Sequence, residues 1–174
     1  QSQSLPYLVG LGEEGWRVGL VTFEQARWSL SREDAQVETS RLADLDVHWF
    51  PLTYHKRPAV VSTLFDVAVG GVYAALLARL SRARLIHGRA PMGGAAALIG
   101  SRLGRCLFFY DADGDVAQEY VDVGSWSEGS IPHRLTQAGQ EACFRAADSV
   151  AVLTETRKRD VAHLTRQPIE VLPC

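Results

Sequence analysis

The chain has 174 residues, 47% hydrophobic and 22% charged, with a formal charge of −2. That is enough for a self-sufficient core, and it argues against disorder, a fibrous repeat and nucleic-acid binding through bulk charge. The three cysteines, Cys106, Cys143 and Cys174, are far apart and have no His at ligand spacing. A disulfide framework and a zinc site are therefore disfavoured, and the cysteines read as two core thiols and a terminal one.

In chain order, Leu5, Leu8, Val9 and Leu11 have helical spacing, with Pro6 suited to a first turn and a stop near Gly12 or Gly15. Residues 16–23 read as a buried strand, a polar helix opens at Ser31 or Arg32 and runs to about Leu45, and 46–52 read as a second strand. A loop over 53–61 carries His55, Lys56, Arg57 and Pro58. A long apolar helix follows over 62–81, then a strand over 84–88 and a small-residue helix over 92–103 suited to close packing on a sheet. The strand 106–110 is the most apolar. Beyond it come an acidic loop or broken helix over 111–128, a helix over 131–147, a strand over 149–153, a helix over 155–164 and a last strand over 169–172. The apolar run Val67 to Leu80 contains Gly70, Gly71 and Arg79 and is too short and interrupted for a membrane span. No secretory signal is visible. The chain opens without Met, so its start is not expected to be the native start.

Strands alternating with helices predict an α/β fold, a Rossmann-like parallel sheet with helices on both faces. In such sheets ligands bind beyond the carboxyl ends of the strands. That selects the loops 24–31, 53–61, 89–93, 111–119 and 154–156.

Several motifs fall there. Gly10-Leu11-Gly12-Glu13-Glu14-Gly15 matches a dinucleotide fingerprint, but it follows a helix and precedes a strand, so it reads as a helix stop. Asp111-Ala112-Asp113 at a strand end suits aspartyl phosphate chemistry, metal-mediated binding of a nucleotide diphosphate, or simply a solvated loop capping the next helix. His87-Gly88-Arg89 sits at another strand end, where the His either meets a ligand hydroxyl or is a satisfied core residue. His55, Lys56 and Arg57 suit a phosphate or a carboxylate, although a solvated loop is the simpler reading. Trp126, near Glu119, Tyr120 and Glu128, could stack on a sugar or pack under a loop. Arg157-Lys158-Arg159 reads as the exposed face of a short helix.

The order of these pieces resembles the amino-terminal half of a GT-B glycosyltransferase, in the retaining group called glycosyltransferase family 4. Gly15-Trp16-Arg17-Val18 with Leu20-Val21-Thr22-Phe23 is similar to the family's second strand, and Leu85-Ile86-His87-Gly88-Arg89 to its "h-h-H-x-R" strand end. Phe109-Tyr110-Asp111-Ala112-Asp113-Gly114, then Glu119 and Gly124-Ser125-Trp126, resembles "Asp-x-Arg-Gly … Glu … Gly-x-Trp", with Asp113 standing where the family often has Arg. Ala147-Asp148 through Thr154 and Val171-Leu172-Pro173-Cys174 resemble the last strands of that half.

The resemblance implies one acceptor-side domain over residues 1–174, lacking the first strand and the carboxy-terminal donor domain that would be its partner. It implies a hexosyl transfer from a nucleotide-sugar donor to a hydroxyl of a sugar or lipid-linked acceptor in carbohydrate biosynthesis. No cofactor and no essential metal are expected beyond the donor itself. Acceptor binding is expected from His87, Arg89, Asp111, Asp113, Glu119 and Trp126, with catalytic residues not assigned and no turnover by the isolated chain. The expected location is cytoplasmic, with peripheral membrane attachment of the intact enzyme; an unpaired strand would favour self-association. The alternatives are a non-catalytic α/β ligand-binding module and a phosphatase using Asp111 and Asp113.

Overall fold

The computed structural model describes residues 4–24, 32–55 and 59–172. The chain divides into two compact units, Gln1–Ala59 and Val60–Cys174.

The first unit holds α1 (Ser4–Glu13), β1 (Val18–Glu24), α2 (Arg32–Ala43) and β2 (Val47–Thr53). The two strands pair in parallel, from Val18 opposite Val47 to Glu24 opposite Thr53. Leu8, Leu42 and Val47 are buried between them and the helices, with Val18, Leu20, Leu45 and Trp49 packed alongside. The Trp49 indole N–H donates to the Thr22 hydroxyl at 2.9 Å across the strand pair. The glycine-rich run is a helix stop, as the sequence predicts. α1 includes Gly10 and Gly12 and ends at Glu13, and Gly15 turns the chain with φ +82°. Gly12 is fixed by close approach, because a Cβ there would overlap the Leu45 carbonyl oxygen.

The second unit contains α3 (Ala59–Ser81), β3 (Leu85–Arg89), α4 (Ala90–Gly104), β4 (Leu107–Ala112), α5 (Val116–Asp122), α6 (Ile131–Ala146), β5 (Ser149–Val152), α7 (Glu155–Val161) and β6 (Ile169–Val171). Its four strands are parallel and lie in chain order, β3-β4-β5-β6. Right-handed crossovers that always step the same way place α4, α6 and α7 on one face. There the core forms around Phe108, Tyr110, Val150, Val152, Cys143, Phe144 and Val161. Tyr110 meets Phe144 edge to face, centroids 5.1 Å apart. The small residues of α4 act as their sequence predicts: a Cβ on Gly88 would come within 2.5 Å of the Ala97 methyl, and one on Gly94 within 2.5 Å of the Tyr110 ring.

Asp148 immediately precedes β5 and pins it to β4. Its amide donates to the Phe108 carbonyl, and its carboxylate accepts from the Phe108 amide, each at 2.8 Å. Of the two forms expected for residues 111–128, an acidic loop or a broken helix, the structure takes the second: β4 continues to Ala112 and a short helix, α5, runs over Val116–Asp122. The long apolar segment also differs from expectation. α3 has 23 residues, and its stretch Val60–Ser81 is long and apolar enough to cross a bilayer by length and composition, with mean hydropathy 1.9. The glycines that interrupt the pattern do not break the helix, because Gly71 supports contact with α4, where a Cβ would meet Ile99 at 2.6 Å. Cys143 is buried and Cys106 partly exposed, both free thiols; Lys56, Arg57, Pro58, Pro173 and Cys174 lie outside the described residues.

Candidate functional site

The parallel register sets His87 opposite Phe109 and Arg89 opposite Asp111. Period-two alternation puts all four on the face opposite Gly88 and Tyr110, at the carboxyl end of the sheet. The His87 ring leans on Phe109 with centroids 4.7 Å apart. Beyond it, His87 Nε2 lies 3.4 Å from Asp111 Oδ2. The same carboxylate oxygen is 3.6 Å from Arg89 Nη1, and Arg89 Nε is 3.6 Å from Asp113 Oδ2. The guanidinium therefore bridges the two carboxylates of the D-x-D motif. Asp111 is the most enclosed member, its side chain 13% exposed against about 30% for the other three. One oxygen of Asp113, Oδ1, is buried without a hydrogen bond.

Local backbone geometry holds Arg89 in place. It is the N-terminal cap of α4 in extended conformation, and the next residue, Ala90, takes φ +59° before Pro91 enters the first turn. A left-handed alanine costs about 1 kcal/mol. That strain marks a tight strand-to-helix reversal set directly under the cluster.

Three elements fasten the loop that carries Asp113. Asp115 caps α5 by accepting from the Gln118 amide at 3.3 Å, and its other oxygen takes a charge-assisted bond from Arg157 Nη1 at 2.9 Å. The Gln140 side-chain amide of α6 donates to the Gly114 carbonyl at 3.1 Å. Arg157 is held in turn by the Thr154 cap of α7, whose hydroxyl accepts from the Arg157 amide at 3.1 Å. Behind the loop, burial pushes the Tyr110 phenol well above its usual range, with Cys143 adding to the effect, and burial pushes the Cys143 thiol up to about 12.

Four of the six expected residues, His87, Arg89, Asp111 and Asp113, thus form one connected cluster. Glu119 lies beside it in the first turn of α5, its carboxylate so close to Gly114 that a Cβ there would overlap it. Trp126 stacks on Tyr120, centroids 4.4 Å apart and 17° from parallel. His55 is exposed in the first unit, and its neighbours Lys56 and Arg57 are not among the described residues. Sequence reasoning missed Asp115, Gln140 and Arg157. It placed Arg157 on an exposed helix face, but its side chain is 21% exposed and paired. The available signal was Thr154, a cap after a strand, which orients the third helical residue back toward the loop. A shallow hollow between α2 and β2, lined by Gln36, Thr39, Trp49 and Pro51, shares no residue with this cluster.

Chemically, a carboxylate flanked by an imidazole and a guanidinium is a hydrogen-bond acceptor for a hydroxyl and a place to hold its proton. It is a poor seat for a divalent cation, because Arg89 already occupies the position between the two carboxylates. Among the described residues no three His, Cys, Asp or Glu side chains are grouped to hold a metal.

The sequence matches the glycosyl transferase 4-like domain over residues 4–174, nearly its whole length. The chain belongs to the glycosyl transferase 4-like family. No curated protein matches it. Its parallel α/β architecture is that of a Rossmann-like half of a GT-B fold, and the family makes it a transferase of glycosyl groups. Within this glycosyl transferase 4-like domain the departure at Asp113 acquires a physical account. The acid that replaces the expected Arg is neutralised by Arg89 from the neighbouring strand.

Proposed function

We propose that this chain is the acceptor-side domain of a retaining hexosyltransferase that moves sugar from a nucleotide-sugar donor to a hydroxyl of a sugar or lipid-linked acceptor. The donor-side domain would be a separate part of the same protein, and the intact enzyme would work in the cytoplasm on carbohydrate biosynthesis. The observation that carries the reading is the Arg89 bridge between Asp111 and Asp113 beside His87, at the end of the sheet where ligands of such folds bind. Asp111 and His87 would orient the acceptor hydroxyl, Arg89 would hold the Asp111 carboxylate in position, and Asp113 and Glu119 would line the approach. Departure of the nucleotide diphosphate would be stabilised by cations and helix amides of the donor side, so no turnover is expected of residues 1–174 alone.

Steady-state kinetics of the full-length enzyme test this. Removing a charge-assisted hydrogen bond costs about 1.5–3 kcal/mol. Asp111→Asn and His87→Asn should each raise the acceptor KM or lower kcat/KM for the acceptor by about 10- to 100-fold. The KM for the nucleotide-sugar should stay within about twofold. Turnover by residues 1–174 with a nucleotide-sugar and no other protein would refute the division of labour. Magnesium-dependent hydrolysis of a generic phosphate ester, lost in Asp111→Asn, would favour the phosphatase reading instead.

A further inference from the structure

Beneath the His87–Asp113 cluster, on the core side of β4, lies a second set of polar groups. Among the described residues, six buried side-chain atoms have no hydrogen-bond partner. Two of them, Ser130 Oγ and His133 Nε2, belong to the start of α6. The other four come from the end of β4 and the elements packed on it: Tyr110 Oη, Asp113 Oδ1, Gln140 Oε1 and Arg157 Nε. Tyr110 and Gln140 are 0% and 4% exposed, so neither can turn to solvent. A buried polar group left unpaired is costly, and native proteins keep few of them.

The bonds already made fix what each free atom can do. Gln140 Nε2 donates to the Gly114 carbonyl at 3.1 Å, so the amide cannot be flipped and Oε1 is left as an acceptor. Arg157 Nη1 is committed to Asp115 Oδ2 at 2.9 Å, which leaves the Nε–H as a donor. Asp113 meets Arg89 through Oδ2, which leaves Oδ1 as a second acceptor. The Tyr110 ring lies against Phe144 and Gly94, and burial keeps its phenol protonated, a second donor. Gln140 and Arg157 both reach the loop at Gly114 and Asp115, next to Asp113. Gln140, Asp113 and Arg157 also act on the Tyr110 phenol. The four atoms therefore share one neighbourhood.

We propose that Tyr110, Asp113, Gln140 and Arg157 enclose a site for one water molecule, and that through this water Tyr110, Gln140 and Arg157 act as positioning residues for Asp113. The count of donors and acceptors decides the occupant. Two donors and two acceptors around one point match a molecule that accepts twice and donates twice. A metal cation would face the Arg157 guanidinium and the Tyr110 O–H. An anion would face the Asp113 carboxylate and the Gln140 carbonyl. Water meets all four, within the two to four bonds that buried waters make. The Asp113 carboxylate is then held from both sides, by Arg89 from β3 and by the water from the core. Such a bridge is nearly as good as a direct hydrogen bond. The positioning role rests on the reading of Asp113 as part of the acceptor approach; the water site does not.

A crystal structure of the full-length protein tests the site. One ordered water is expected within about 2.7–3.2 Å of all four atoms. Direct pairing of Tyr110 or Arg157 with Asp113 or Gln140, or an ion in that place, would overturn the proposal. Kinetics of the full-length enzyme test the positioning role. Tyr110→Phe keeps the ring and removes one donor, and Arg157→Lys keeps the charge beside Asp115 and removes the Nε–H. Each should lower kcat/KM for the acceptor about three- to tenfold, the worth of one hydrogen bond, with the KM for the nucleotide-sugar unchanged. A merely structural bond would lower the denaturation midpoint and leave acceptor kinetics alone, and that result would overturn the positioning role. Failure of the acceptor-site reading shows separately, as unchanged acceptor kinetics in Asp111→Asn. The water site is then still decided by its density.

Discussion

Arg89 is the neighbour that the sequence alone does not attach to Asp111-Ala112-Asp113. From the sequence, two acids at a strand end are compatible with a nucleophile, a metal site or a solvated loop, because their partners are unknown. The partner is 22 residues upstream of Asp111, on the adjacent strand, and only the parallel register of β3 with β4 brings it there. His87 and Arg89 were legible as candidates for the same reason that Asp111 was: each ends a strand. Their mutual contact was not legible, since hydrophobic periodicity fixes which residues face one way but not which strand lies alongside. Cys143 shows a different residue-scale consequence. Its thiol is fully buried and pushed up to about 12, so it stays protonated and unreactive at neutral pH. A folded-state pKa above the unfolded value means the folded protein holds its proton more tightly. The stabilisation is therefore full below about pH 9 and is lost as pH rises toward 12. Tyr110 acts in the same direction above pH 10, where an exposed phenol ionises. Two outcomes follow for measurement. A thiol reagent at pH 8 should label Cys143 in urea but not in buffer, and the denaturation midpoint should fall steadily above pH 9 while changing little between pH 7 and pH 9.

Among the elements, α7 has the most indirect influence on the site. It contributes no residue to the His87–Asp113 cluster, yet its first turn holds Arg157 against Asp115 and so fixes the loop that presents Asp113. Loss of a Thr cap costs about 1 kcal/mol. Thr154→Ala should lower stability by about that amount in chemical denaturation. It should also lower kcat/KM for the acceptor several-fold with the donor KM unchanged, an effect that a purely structural cap would not produce. The helices also show where local patterning suffices and where it does not. Small residues in α4 announced its close packing, and Gly15 announced the end of α1, because both needs are local. The exposed reading of Arg157-Lys158-Arg159 failed for Arg157 because a helix face is buried or exposed by what packs on it, here a loop 42 residues away.

On the scale of the molecule, alternating strands and helices were sufficient to predict parallel pairing, and every strand pair is parallel. Strand order was not available from that pattern, because nearly continuous apolar strands fit many neighbours equally well. The two units also differ in what holds them. Among the described residues the first is centred on three buried apolar residues, the second on ten. Native-state hydrogen exchange should accordingly be slowest at Phe108, Tyr110, Val150 and Val152. Exchange in β1 and β2 should be at least tenfold faster, and equal protection in the two sheets would contradict this account.

The order β3-β4-β5-β6 also bears on how the protein is made. As the chain leaves the ribosome, each new strand of the second unit meets the strand synthesised just before it, with one helix between them. No strand waits for a partner yet to be translated, and no loop spanning the unit has to close first. Short-range assembly of this kind is quick and leaves little time for sticky edges to find wrong neighbours. The three-residue β6 follows the same rule, joining β5, the strand made just before it.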